Sequence, residues 1–205
     1  MGRICHCLEP FYCNTELRKN DMRGNFVGLV SGLVIFGSTM AEADGNLAED
    51  FSKSPETRWD FVADTVMGGV SSGQVQFRSE GNVAFARLTG TVSTVNNGGF
   101  IQFRRKLPDR PGTGVSGVRL LVRGNGEQYF VHLRTRGTVL PWQYYQAAFA
   151  TSDNWTEVWL PLSGFKASGA MLRAIPVADE ITSVGVVAYG RDHEARVDVS
   201  EIGFY

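Results

Sequence analysis

Residues 128–135 read Gln128-Tyr129-Phe130-Val131-His132-Leu133-Arg134-Thr135, or QYFVHLRT. In an extended chain Tyr129, Val131 and Leu133 fall on one side, and Phe130, His132 and Arg134 on the other, because strand side chains alternate across the backbone. One apolar side and one mixed side is the period-two signature of a half-buried strand.

The pattern repeats on both sides of this stretch. In GVRLLVRG (117–124) Val118, Leu120 and Val122 alternate with Arg119, Leu121 and Arg123. In GQVQFRS (73–79) Val75 and Phe77 alternate with Gln74, Gln76 and Arg78. WTEVWLPL (155–162), ITSVGVVAYG (181–190) and ARVDVSEIGFY (195–205) continue it. Clusters of Gly, Pro, Asn and Asp separate these runs, which is where chain reversals belong. The best helical candidate, GFKASGAMLRAIP (164–176), is limited by Gly169 and Pro176, and reads as a short helix or irregular loop. The expected fold is all-β: an antiparallel sandwich or barrel.

The chain has 205 residues, 43% of them hydrophobic and 20% charged, with 24 glycines and a formal net charge of −1. That size suits one domain that buries about 70% of its unfolded surface. The balanced charge argues against a nucleic-acid surface, which carries a basic excess.

The first 43 residues read as targeting. Met22-Arg23-Gly24-Asn25 precedes the apolar run FVGLVSGLVIFG (26–37), and Ala41-Glu42-Ala43 fits a small-x-small cleavage site. The run is shorter than the ~20 apolar residues of a membrane-spanning helix. Residues 1–21 are then an upstream extension or a misassigned start, 22–43 a signal peptide, 44–58 a flexible polar leader, and 59–205 the sandwich. The expected location is exported, periplasmic or extracellular; the alternative is membrane anchoring by residues 26–41. No integral span is expected in the mature chain. Cys5, Cys7 and Cys13 all precede the signal, in a spacing foreign to zinc sites, so no disulfide, thiol chemistry or metal is expected in the domain.

The segment FVADTVMGGVSSG (61–73) invites a nucleotide-binding reading, but it has neither Gly-x-Gly-x-x-Gly nor Gly-x4-Gly-Lys-Ser/Thr spacing, nor a following helix. Its glycines read instead as turn devices, with a positive φ at Gly68 or Gly69. Phe61, Val62, Val66 and Met67 are expected to tuck into the sandwich. Asp64 is expected to accept hydrogen bonds from amides of its own turn or from those of NNGGF (96–100). His132 and His193 lack ligand-spaced neighbours, and no serine sits in a nucleophile elbow. The triplet Arg104-Arg105-Lys106 reads as the charged end of an exposed edge strand, or else as a contact for phosphate or an acidic partner. In PWQYYQAAF (141–149) Trp142, Tyr144 and Tyr145 cannot all face one core, so at least one is a candidate ligand-face aromatic.

Five blocks occur in order: FVADTVMGGVSSG, GTVSTVNNGGFIQFR (90–104), LLVRGNGEQYFVHLRT (120–135), YYQAAFATSDNWTEVWLPLSGF (144–165) and the closing 181–205. Together they resemble the complex I intermediate-associated protein 30 family, from about Trp59 to Tyr205. The resemblance implies a galactose-binding-like jelly-roll β-sandwich. It also implies a non-enzymatic, cofactor-free module that binds a protein partner, a membrane-complex subunit or an assembly intermediate. The alternative is a carbohydrate-binding module. Asp64, Met67, Gly68, Gly69, Asn96, Asn97, Gly98, Gly99 and Phe100 are the family-motif positions and candidates for recognition. Asn125 departs from the family pattern, standing where an acidic residue is usual.

Overall fold

The computed structural model describes residues 46–205. Twelve strands form two antiparallel sheets, with no α-helix among the described residues. The strands are β1 (Asn46–Glu49), β2 (Asp60–Ala63), β3 (Ser72–Glu80), β4 (Val83–Val92), β5 (Phe100–Lys106) and β6 (Gly117–Gly124). They continue with β7 (Gln128–Thr135), β8 (Tyr145–Ala150), β9 (Thr156–Pro161), β10 (Lys166–Ala167), β11 (Ile181–Tyr189) and β12 (His193–Phe204). One sheet runs β3-β4-β12-β6-β9, with β1 also paired to β12; the other runs β10-β8-β7-β11-β5-β2.

The alternation expected of β7 holds. Tyr129, Val131 and Leu133 are fully buried, while Phe130, His132 and Arg134 lie half-buried on the opposite face. Val118, Leu120 and Val122 of β6 meet them from the other sheet in one core. Burying each such aliphatic chain contributes about 1.5–3 kcal/mol. Of the two readings of 164–176, the structure shows the irregular loop, with the two-residue strand β10 in it.

On the solvent side of the first sheet, charge is matched. Asp198 of β12 accepts from Arg87 of β4 at 2.6 Å and from Arg123 of β6 at 2.8 Å. Arg119 pairs with Glu157 and Glu201.

Two expectations are corrected. Residues 46–58 are not a flexible leader. Leu47 pairs with Gly203 of β12, and Phe51 is buried against Trp59, Phe77 and Phe103 at ring distances of 5.5, 6.2 and 6.4 Å. The buried Glu49 carboxylate accepts from Arg58 (2.9 Å), Trp59 Nε1 (2.9 Å) and Arg105 (2.8 Å). A polar composition conceals one acid with dedicated partners. Nor is the basic triplet an edge: β5 lies between β2 and β11, so alternation sends Arg105 inward to Glu49 and Arg104 to the opposite face. The expected signal peptide, anchor and cysteines lie outside the described residues. Among the described residues no helix is long and apolar enough to cross a membrane.

Candidate binding cleft

The outward face of the second sheet carries a cleft of about 970 Å³, walled at each end by loops. This is the upper end of the range for ligand sites, about 300–1,000 Å³.

The first wall is built on Asp64. The 3-10 turn Asp64–Met67 carries it inward, where it is wholly buried. Its carboxylate accepts from the Ser71 amide (3.0 Å), the Ser71 hydroxyl (2.5 Å) and the amides of Gly99 (2.5 Å) and Phe100 (3.3 Å). Burial opposes the charge, but the bonds from Gly99, Ser71 and Phe100 outweigh it and hold the pKa below the ordinary carboxylate value. The glycines make this possible. A Cβ at Gly69 would lie 2.3 Å from the carboxyl carbon of Asp64, and one at Gly98 would lie 2.4 Å from its Oδ2. Gly68 turns the chain at φ +90°. The two motifs are thus halves of one clasp.

That clasp displaces Val66 and Met67 outward, against the expectation that they join the core. Both are exposed, Met67 at 62%, and both line the cleft with Asn97, Gly98 and Phe100. Asn96 and Asn97 take left-handed conformations, φ 59° and 57°, which asparagine tolerates better than most residues. Phe61 is half-buried against the core and Val62 lines the cleft.

The second wall is the loop between β7 and β8. Arg134 donates to the carbonyls of Thr138 and Leu140, each at 2.9 Å, and Gln143 Oε1 accepts from the Leu140 amide at 2.9 Å. Ser168 donates to the Trp142 carbonyl (3.2 Å) and accepts from the Tyr144 amide (3.0 Å), fixing the chain on both sides of Trp142's junction with β8. Trp142 stands 64% exposed at the rim. Tyr144 stacks on His132, with centroids 4.0 Å apart and planes 11° apart. Tyr145, expected as a candidate ligand aromatic, points into the core and is buried; alternation separates it from Tyr144.

Tyr189 completes the aromatic cluster, edge-on to His132 at 6.0 Å and to Tyr144 at 6.5 Å. Burial lowers the His132 pKa to about 4, so its imidazole is neutral, and its Nε2 is buried without a hydrogen-bond partner among the described residues. Burial and its Tyr189 neighbour push the Tyr144 phenol upward. Between His132 and Arg104 the register places Gly185. A Cβ there would come within 3.0 Å of the Arg104 Cβ, so the glycine keeps this part of the floor open.

Sequence reading missed Gln102, Gly185 and Tyr189 as cleft residues, and gave Arg104 a contact role only as the alternative to an edge strand. Each lies in phase on its own strand, but their convergence depends on cross-strand register. Asn125 also finds its reason: it accepts from the Tyr129 hydroxyl at 2.7 Å and donates to the Glu194 carbonyl at 2.8 Å. An ionised acid could accept but not donate. No cluster of three or more potential metal ligands occurs among the described residues.

Two antiparallel sheets packed about one core, with a cleft on an outward face, define a β-sandwich of the binding-module type of architecture. The solved structures agree at the level of the fold. The family 11 carbohydrate-binding module of the cellulosomal cellulase Lic26A-Cel5E of Clostridium thermocellum superposes with a TM-score of 0.63 at 14% identity, spanning 78% of this chain and 93% of the module. The family 11 module from Clostridium thermocellum in complex with a β-1,3-1,4-mixed-linked tetrasaccharide gives 0.62 at 14% identity, over 78% and 94%. No curated protein matches the chain in sequence. The family model for Complex I intermediate-associated protein 30 (CIA30) matches residues 49–196, and the chain belongs to that family.

Proposed function

We propose that this chain is a non-catalytic binding module whose cleft holds an extended oligosaccharide. The observation that carries the reading is the Tyr144–His132 stack beside the exposed Trp142 rim, set over a floor with polar Gln102 and Arg104. Sugar rings present C–H faces to aromatic rings and hydroxyls to polar side chains, and this face offers both. Glycoside hydrolysis needs two carboxyl groups about the scissile bond, whereas no Asp or Glu lines the cleft among the described residues. The sugar complex of the similar family 11 module supports the same class of ligand. Calorimetric titration with neutral and acidic oligosaccharides tests it. Binding of at least one chain, weakened by Tyr144→Ala, is expected; no binding across the panel defeats the reading.

A second reading is favoured by the exposed apolar residues at both ends of the cleft, Val66 and Met67 on one side and Val139 and Trp142 on the other. Such a rim suits a protein partner, a membrane-complex subunit or assembly intermediate in keeping with the family. Cross-linking in native membranes would recover one defined partner, lost in Met67→Asp. In either reading we infer export, from the targeting pattern of residues 22–43. A mature N-terminus near Asp44 is the expected result; one at Met1 or Met22 overturns it.

A further inference from the structure

Most arginines of the first sheet are paired with carboxylates, Arg78 excepted, which donates to Gln76 Oε1. Arg87, Arg119 and Arg123 each lie against one. On the cleft face, Arg104 and Arg134 do not, and no Asp or Glu is among the lining residues. Arg134 spends its donors on the Thr138, Leu140 and Pro141 carbonyls, which bear no net charge. Arg104 is half-buried, and its guanidinium has no hydrogen bond or ion pair among the described residues. The two cations also feel each other: desolvation first, and then Arg104, lowers the Arg134 pKa.

Like charges beside one another on a partly desolvated floor are unfavourable unless a counter-charge arrives. The nearest carboxylate in register is Asp60, opposite Arg104 on edge strand β2. It is exposed and does not close an ion pair with Arg104. The open floor at Gly185 lies between Arg104 and the His132–Tyr144 stack, and all four residues line one pocket, so a ring seated on the aromatics would bring an acidic substituent beside Arg104.

We propose that the cleft selects an acidic oligosaccharide, a chain of carboxylate-bearing sugars, with Arg104 as the group that recognises the carboxylate. This rests on the oligosaccharide reading and narrows it. Arg134 contributes positive potential and holds the loop, while Arg104 contributes the planar fork that matches a carboxylate.

The test is calorimetry with the full chain against tetragalacturonate and, separately, a neutral β-1,3-1,4-linked glucan tetrasaccharide of equal length. The uronate is expected to bind at least tenfold tighter, with affinity falling as salt is raised, since exposed charge attraction is screened. Arg104→Gln is expected to remove about tenfold or more of the uronate affinity. Asp60→Asn, which takes away the competing carboxylate, is expected to increase it. Arg78→Gln, on the other sheet, serves as control and is expected to change nothing. Thermal melting of each variant separates lost recognition from lost fold. Equal affinity for both sugars, with Arg104→Gln indifferent, overturns the acidic selectivity and leaves the oligosaccharide reading standing. Binding of neither sugar, nor of any chain in the wider panel, overturns both.

Discussion

The Asp64 carboxylate accepts a hydrogen bond at 2.5 Å from the amide of Gly99, 35 residues further along the chain. Through it, the turn after β2 and the turn before β5 are joined at one end of the cleft, with Gly69 and Gly98 on either side of the acid. This contact explains why two glycine pairs far apart in sequence belong to one device. It also explains the outward positions of Met67 and Asn97, each of which lies within two residues of a glycine packed on Asp64.

Asp64→Ala leaves the amides of Ser71, Gly99 and Phe100 without their acceptor and the Ser71 hydroxyl with only the Ser93 carbonyl. The expected loss of stability is on the order of 3 kcal/mol. Chemical denaturation would show it as a lower midpoint at unchanged slope. The pH dependence has a definite sign. A carboxylate whose folded pKa is depressed contributes stability that is present above its unfolded value, about 3.9, and is lost as pH falls through the folded value. Wild type should therefore lose stability as pH drops below about 4, and Asp64→Asn should flatten part of that fall.

Glu49 sits at the junction of β1, Arg58, Trp59 and Arg105. Removing residues 1–58 would strip Phe51 from the core and leave Arg105 buried without its carboxylate. Breaking a buried pair from one side costs about 3–5 kcal/mol. A chain beginning at Trp59 is expected to be insoluble or to melt far below one beginning at Asp44. Glu49→Gln in the longer chain should reproduce much of that loss. Differential scanning calorimetry of the three forms checks it; equal melting temperatures would restore the leader reading.

The strands were legible because each carries its own evidence, a two-residue alternation that burial forces on it. Tyr129, Val131 and Leu133 announce a buried face without reference to any other strand. The cleft was legible only in part. Trp142 and Tyr144 stood out by aromatic density, and Asp64 by its place among glycines. Gly185 and Tyr189 did not, and Arg104 stood out only as part of a basic triplet, because Gly185 meets His132 on one side and Arg104 on the other through pairing between distant strands. Val66 and Met67 misled for a related reason. Their hydrophobicity implies burial, but a four-residue turn around a buried acid leaves its apolar side chains outside. In residues 46–58, Glu49 looked like any surface acid until its three partners came together.

His132 provides a pH test separate from the clasp. Burial lowers its folded pKa to about 4, below the ordinary unfolded value of about 6.5. Between those values the unfolded chain binds more protons, so stability should rise with pH from about 4 to about 6.5 and then level off. His132→Gln should lose that slope. Proton NMR of the imidazole should show no titration from pH 5 to 8, and a midpoint near 6.5 would mean that the stack with Tyr144 does not bury the ring.

Tyr144→Ala and Trp142→Ala separate the two readings of the cleft. Tyr144 is half-buried on the floor and Trp142 stands at the rim, so both affect a sugar but not with equal structural cost. An aromatic contact is worth about 0.5–1.5 kcal/mol, up to roughly tenfold in affinity. Each substitution should weaken oligosaccharide binding by about that factor, with Trp142→Ala leaving the melting temperature unchanged. A protein partner held by the apolar rim gives a different pattern: Trp142→Ala and Met67→Asp both abolish capture, and Tyr144→Ala, lower on the floor, hardly matters. Measuring all three variants against both kinds of partner therefore assigns the cleft. A Tyr144→Ala protein that melts normally and binds every sugar as wild type does would rule out the floor as a sugar platform.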